Sequence, residues 1–298
     1  MCSLLAALLS KPAKACDFCG CGPAGQFFGM LPILDGRYAS IRTQQQQFKH
    51  PATTANTLDG EAIRYDRMQS LELWVRWQLD SSWQIIVQMP WRHHDRIGKQ
   101  GSLSSISGPG DASITAFYKL KLPALKGNWQ QSASLGAQSG LPTGPYQQRD
   151  AKKRLLPMPF QTGTGSYSAM LQAFYTLSRS SKGLQVESRI RRFTTNELDF
   201  KPGNALGASA QLFSNRQGKR LRYMHYAGCT YDRLDYDYEF GQAKANTGGA
   251  IFGLSAGTDV YTAKSAFHLL AQLPLVQQLG AAQPINSFRL MLGYSRAF

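Results

Sequence analysis

Cys16, Cys19 and Cys21 stand in C-x-x-C-x-C spacing within CDFCGCGPAG, the constellation of this chain with the plainest metal or redox potential. Three thiolates, joined by an amine if Cys16 is the mature N-terminus, could hold a soft ion such as Cu(I) or Zn(II). In an oxidising compartment two of them form a disulfide that staples the segment, and that is the commoner fate of so short a motif. Other candidates are poorer. His93 and His94 are neighbours, so on a strand they face opposite ways and do not clamp one metal; an exposed loop pair is expected. His225 and Cys229 share one parity within YMHYAGCTY, a pattern of packing. Asp232, Asp235, Asp237 and Glu239 make an acidic, Tyr-rich stretch expected at an extracellular strand crown, where calcium or the cations around lipopolysaccharide gather. A hydrolase would need Ser, His and an acid or amide converging at one rim, and neither a G-x-S-x-G string nor an equivalent His-Ser context is expected here. No catalytic residue and no cofactor is assigned, and the chain is expected not to be an enzyme.

The elements that must carry these side chains read as strands. In SLELWVRWQL, Leu71, Leu73, Val75, Trp77 and Leu79 share one face, while Glu72, Arg76 and Gln78 share the other. SSWQIIVQMPWRH opposes Trp83, Ile85, Val87, Met89 and Trp91 to Gln84, Gln88 and Arg92. SYSAMLQAFYTLS and GLQVESRIRRF repeat the pattern, the second setting Leu184, Val186 and Ile190 against Glu187, Arg189 and Arg191. Weaker versions fall near residues 37–49, 111–122, 129–140, 205–213, 221–234, 248–261, 264–275 and 285–298, which makes about twelve strands in all. No helical periodicity interrupts them.

The polar face carries Gln, Ser, Gly, Thr and Arg rather than the Lys, Glu and Asp of a soluble sandwich, which suits an enclosed, hydrated lumen. Strand lengths near 10 residues fit a tilted membrane crossing, and closure removes edges that a bilayer does not tolerate. Trp74, Trp77, Trp83 and Trp91 read as an aromatic girdle. The expected fold is therefore all-β, a single antiparallel up-and-down transmembrane barrel of about twelve strands. Glu72, Arg76, Arg92, Glu187, Arg189, Arg191 and Arg289 should point inward and line a solute path. The first functional reading is a channel or transporter for small solutes, anionic or aromatic. The alternative is a plugged structural or metal-handling barrel that uses the Cys16–Cys21 segment.

The chain has 298 residues, a formal net charge of +15 and only 17% charged residues. Lys and Arg are scattered rather than gathered in a basic stripe with interleaved aromatics, which argues against nucleic acid as a partner. LLAALL at 4–9, followed by Ala13-Lys14-Ala15, reads as the remnant of a signal peptide cleaved before Cys16; a basic n-region is absent, so the true start is expected upstream. The expected division is residues 1–15 as that remnant, 16–30 as a Cys-rich periplasmic segment and 31–298 as the barrel, with the N-terminus periplasmic. The last strand, INSFRLMLGYSRAF, puts Phe288, Leu290, Leu292, Tyr294 and Phe298 on one parity. Outer-membrane lipid, lipopolysaccharide, the barrel assembly machinery and a small-molecule solute are the partners this implies.

That final strand resembles the closing strand of bacterial outer-membrane barrels, in which such a pattern, here carried by Tyr294 and Phe298, is the signal read by the assembly machinery; Arg296 departs from it. PGDASITAFYKLKLP at 109–123, SLGAQSGLPTGPY at 134–146 and QTGTGSYSAMLQAFYTLS at 161–178 resemble, in order and spacing, the outer-membrane barrel family named for the meta-pathway of phenol degradation. With CDFCGC near the start, the chain is similar to a Bacteroidetes branch of that family. The resemblance implies an outer-membrane barrel and a transport role. Read by themselves, the Pro and Gly residues of these motifs stop strands and allow turns, and no chemistry is assigned to them.

Overall fold

The computed structural model describes residues 37–51, 57–58, 61–150, 152–280 and 283–298. Its long strands are β1 (Tyr38–Lys49), β2 (Tyr65–Gln78), β3 (Trp83–Ile97), β4 in two stretches (Ser102–Pro109 and Ser113–Leu120), β5 (Trp129–Gly140) and β6 (Ser168–Arg179). They continue as β7 (Lys182–Phe193), β8 (Ala205–Gln217), β9 (Arg222–Leu234), β10 (Gly249–Tyr261), β11 (Ser265–Leu279) and β12 (Ile285–Ala297). Each pairs antiparallel with its neighbour in sequence, and β12 returns to β1, with Tyr38 opposite Ala297 on one side and Arg76 on the other. The result is a closed, twelve-stranded, antiparallel barrel, with the first stretch of β4, Ser102–Pro109, extending beyond it and paired on one side to β3. Where both neighbours of each strand are paired, the backbone donors of the wall are satisfied within the sheet, as a bilayer demands.

Strand β4 is broken at residues 110–112, yet both stretches pair with β3, Pro109 opposite Trp91 and Ser113 opposite Gln88. Alternation puts Leu71, Leu73, Met89, Leu171, Ile190, Leu273 and Leu292 outward, each at least 47% exposed, as bilayer-facing side chains must be. The inward face holds buried Gln, Ser, Thr, Arg and Asp.

At the end where the described chain enters and leaves the barrel, the connections are short. Residues 180–181 join β6 to β7, and residues 79–82 join β2 to β3, where Asp80 Oδ1 accepts the Ser82 and Trp83 N–H groups at 2.6 and 2.8 Å. These donors hold the Asp80 carboxyl below the usual carboxylate range. Trp77, Trp83 and Trp129 face outward at this end, and Phe298 packs edge-on against Trp77 with ring centroids 6.4 Å apart. The opposite end carries the longer connections, residues 50–64, 141–167, 194–204 and 235–248.

Three expectations change. Trp74 is buried in the lumen rather than set in a girdle, because it shares parity with Glu72 and Arg76 and its indole N–H donates to Glu72 Oε2 at 2.9 Å. His93 and His94 lie within β3 rather than in an exposed loop, since that strand runs on to Ile97; His93 meets Ser107 on the outside and His94 is buried inside. Strand β4 begins at Ser102, before the Gly110 break. Residues 1–36, including the expected signal remnant and Cys16, Cys19 and Cys21, lie outside the described residues.

Candidate functional site

The lumen is built by the inward parity of each strand. Glu72 on β2 accepts from Trp74, from Gln88 Nε2 at 3.0 Å and from Ser70 at 3.3 Å. Arg76, on the same face, donates to Gln78 Oε1 at 3.1 Å and lies over the Tyr38 ring. Glu187 on β7 is fully buried and accepts from Arg189 Nη1 at 3.0 Å and Ser209 Oγ at 3.3 Å. Arg189 also donates to Asp232, so it bridges two carboxylates. Gly207 faces it across the ladder, and a Cβ there would come within 2.5 Å of the guanidinium. Arg191 donates to Ser168 Oγ at 3.0 Å and Arg289 to Gln272 Oε1 at 3.1 Å.

Arg42, Arg96 and Arg222 join this set, although the alternation in their segments is too weak to single them out in the sequence. Arg42 lies 4.0 Å over the Trp74 ring, Arg222 lies 4.7 Å over Tyr261, and Arg96 makes a two-pronged pair with Asp66 at 2.9 and 3.1 Å. Among the described residues the inward arginines, Arg42, Arg76, Arg92, Arg96, Arg189, Arg191, Arg222 and Arg289, outnumber the inward carboxylates Asp66, Glu72, Asp111, Glu187, Asp232 and Asp259, with Asp111 beside Arg92 and Arg191. Several rest on aromatic faces or amides, which favour a guanidinium without cancelling its charge. The lumen is therefore net positive.

Asp111, in the break of β4, ties two distant segments to its own. Its Oδ1 accepts the Gly144 N–H at 3.1 Å, and its Oδ2 accepts both the N–H and the hydroxyl of Thr164, at 2.8 and 2.7 Å. Thr143 accepts from the Ala112 N–H at 2.8 Å and donates to the Gly110 carbonyl at 3.2 Å. Gly163 donates to the Pro145 carbonyl at 2.8 Å, and a Cβ on Gly163 would fall 2.1 Å from the Gly144 oxygen. The Pro-Gly-Asp, Leu-Pro-Thr-Gly and Gly-Thr-Gly segments are thus three sides of one knot, and their glycines permit backbone to touch backbone. The knot reaches the next loop through Asn196 Nδ2, which donates to the Thr164 carbonyl at 2.9 Å.

Tied down in this way, residues 141–167 fold back into the mouth of the barrel. Phe160 is fully buried among Phe48, Met68, Ile106 and Leu156, and Leu234 and Ile251 pack against that cluster from β9 and β10. It therefore bridges strands on opposite sides of the lumen. Arg92 Nη1 donates to the Thr162 carbonyl at 2.8 Å, His94 Nδ1 meets the Phe160 carbonyl at 2.9 Å, and Arg96 lies 4.8 Å over the Phe160 ring. A second inward cluster joins Trp74, Ile86, Phe117, Met170 and Phe174. A third joins Tyr38, Met224, Tyr226, Tyr261, Leu270 and Met291.

The remaining candidates separate. His225 faces outward against Thr258, at 2.9 Å, and Cys229 is a free cysteine. The acidic stretch is divided among jobs: Asp232 pairs with Arg189, Asp237 accepts the Gly203 N–H at 2.7 Å, and Glu239 pairs with Lys244 at 2.9 Å. Among the described residues no group of three His, Cys, Asp or Glu side chains is placed to hold a metal ion. Contrary to expectation the chain does contain a G-x-S-x-G string, G-L-S-A-G at Gly253–Gly257, the spacing of a nucleophile elbow. It runs through the middle of β10 with no strand-to-helix turn, and Ser255 accepts from Gln211 at 2.6 Å. Beside it, a cavity of about 40 Å³ lies where β10 and β11 slip register between Phe252 and Gly253. Asp232, Gln272 and Arg289 line it from the lumen, and Leu206, Leu273 and Pro274 line it from the wall.

No family model matches the chain, and no curated protein is similar enough to match it. Among solved structures, an outer membrane channel from Pseudomonas putida F1 aligns with a TM-score of 0.66 and 17% identity, covering 92% of this chain and 98% of the other. The β domain of the Bordetella autotransporter BrkA aligns at 0.49, with 11% identity over 89% and 100% of the two chains. The NanC porin aligns at 0.47, with 10% identity over 87% and 100%. The first of these likenesses bears out the fold, a closed twelve-stranded antiparallel barrel of the outer-membrane type.

Proposed function

We propose that the chain is an outer-membrane channel for small solutes, selective for anions. The observation that carries this reading is the excess of arginine over carboxylate on the inward face of a closed barrel. Positive charge confined in a narrow, protein-walled space lowers the energy of an entering anion and raises that of a cation. Arg76, Arg92, Arg191 and Arg289 are the path residues, and Glu72, Glu187 and Arg189 fix the shape of the lumen. The loop at residues 141–167 is its constriction. Membership of the family named for the meta-pathway of phenol degradation rests on the motif order alone, and it supports aromatic acids as the solute class. The short connections lie at the end where β1 begins and β12 finishes, which supports a periplasmic position for that end and an outside position for the loop of 141–167. Tyr294 and Phe298 serve as the assembly signal, and lipid and lipopolysaccharide surround the wall. Proteoliposome swelling tests the reading. Benzoate should enter faster than benzylammonium at equal concentration, and equal rates would contradict it.

A second reading keeps the channel and changes the route. The cavity between β8 and β11 is lined from both sides of the wall, which is what an apolar aromatic solute passing between bilayer and lumen requires. Faster entry of toluene than of benzoate would favour it.

A further inference from the structure

Asp259, His268 and Ser295 lie on three consecutive strands, β10, β11 and β12, all on the inward face. Asp259 is directly opposite His268 in the ladder, His268 is opposite Gly293, and Ser295 is one inward step beyond. His268 Nε2 is 2.9 Å from Ser295 Oγ, and His268 Nδ1 is 3.0 Å from Asp259 Oδ1. The other carboxylate oxygen, Oδ2, accepts from the Tyr261 hydroxyl at 3.0 Å, and the Tyr261 ring stands edge-on to the imidazole at 6.3 Å. Gly293 leaves room for the imidazole, since a Cβ there would approach its Cδ2 to 3.3 Å and Arg42 Cγ to 3.2 Å.

We propose that Ser295, His268 and Asp259 form a serine-hydrolase centre inside the barrel, acting on a small acyl ester. A hydroxyl, an imidazole and a carboxylate in this sequence of contacts are recognised by geometry and role, on any fold and in any chain order. The Nδ1–H is not aligned on Asp259 Oδ1; in sites without substrate such bonds are commonly long or askew and tighten when substrate binds. The neighbours define the substrate. Tyr38, Met224, Leu270 and Met291 form one buried cluster with Tyr261, whose ring stands against His268, while Arg42 lies beside Gly293, so a short acyl group would have an apolar wall on one side and a guanidinium on the other. Ser295 is fully buried, and the unbranched, adaptable side chains of Met224 and Met291 are the ones that must move to admit an ester.

The chemistry balances without a further reagent. Ser295 Oγ bonds to the ester carbonyl carbon while its proton passes to His268 Nε2. The carbonyl oxygen takes up the negative charge, and the Ser40 hydroxyl, 2.8 Å from Ser295 Oγ, is the neighbour able to donate to it. Collapse breaks the bond to the alkoxy oxygen, which leaves with the proton from His268. Water repeats the sequence on the acyl-serine, releasing a carboxylic acid and restoring Ser295. Asp259 is a positioning residue that holds the imidazole.

The test uses the full chain folded in detergent, with the folded state read from its altered migration when unboiled. A small alkyl fluorophosphonate should give one covalent adduct, mapped by mass to Ser295, and para-nitrophenyl acetate should be hydrolysed. Ser295→Ala should lose the adduct and at least about a thousandfold in hydrolysis. His268→Gln should also lose the adduct while keeping the folded migration, and Asp259→Asn should slow labelling by about a hundredfold or more. If Ser295→Ala does not fold, the site-mapped adduct on the wild type still decides, because it needs no variant. A folded wild-type barrel that stays unlabelled, or hydrolysis unchanged by Ser295→Ala, overturns the proposal.

Discussion

Arg189 shows how one side chain fixes the character of the lumen. It is 3% exposed and reaches Glu187 and Asp232 from a β7 position that Gly207 leaves open. Removing it strands two inward carboxylates, so Arg189→Ala should cost about 3–5 kcal/mol, read as a lower urea midpoint for loss of the folded migration. Arg189→Lys should recover only part of that, because an ammonium cannot span both acids as a planar fork does. A loss below about 1 kcal/mol would mean that the pair is solvated. The inward placement of Arg189 follows from the alternation of GLQVESRIRRF. Its bridge to Asp232 does not, because Asp232 belongs to β9, and only the register of β7, β8 and β9 brings the two together.

The elements were most legible where they cross the bilayer and least legible beyond it. Outward side chains need to be apolar only within the hydrocarbon layer. The upper part of β3, with His93 and Asp95 facing out, therefore loses its alternation and reads as a loop. Likewise Ser102–Pro109 offers little apolar contrast, so this half of β4 was invisible to a period-two reading. The Asp111 knot was legible only as three separate turn signals, because periodicity says nothing about contacts between segments far apart in the chain. This knot makes its own prediction. Asp111→Ala removes three hydrogen bonds to Gly144 and Thr164, and Gly163→Ala forces apart backbones that now touch. In both variants the loop at 141–167 should become a protease cleavage site in the folded barrel, while the wild type resists. Equal resistance in all three would show that Phe160 and its cluster hold the loop unaided. At the closing strand, Phe298 anchors on Trp77 and donates its N–H to the Arg37 carbonyl at 3.1 Å. Deleting it should reduce the fraction of synthesised chain that reaches the folded, heat-modifiable form, as judged by unboiled gel migration.

Over the whole molecule, closure, inward arginine and a mouth bridged by the Phe160 cluster combine into an account of a constricted, anion-preferring channel. Closure was foreseeable from the count of alternating segments. The bridging of the mouth was not, because it depends on where a long loop folds. The account predicts two separable effects: Phe160→Ala should widen the path without changing its charge preference, and Arg289→Ala should weaken that preference without widening the path. The measurement that bears on this most directly is single-channel recording in planar bilayers under a salt gradient, with wild type, Phe160→Ala and Arg289→Ala side by side. A small wild-type conductance whose reversal potential favours chloride, a larger conductance in Phe160→Ala and a reversal potential closer to zero in Arg289→Ala would support the account. Cation preference in the wild type, or no conductance from folded protein even in Phe160→Ala, would contradict it; the second result would identify the barrel as a plugged scaffold.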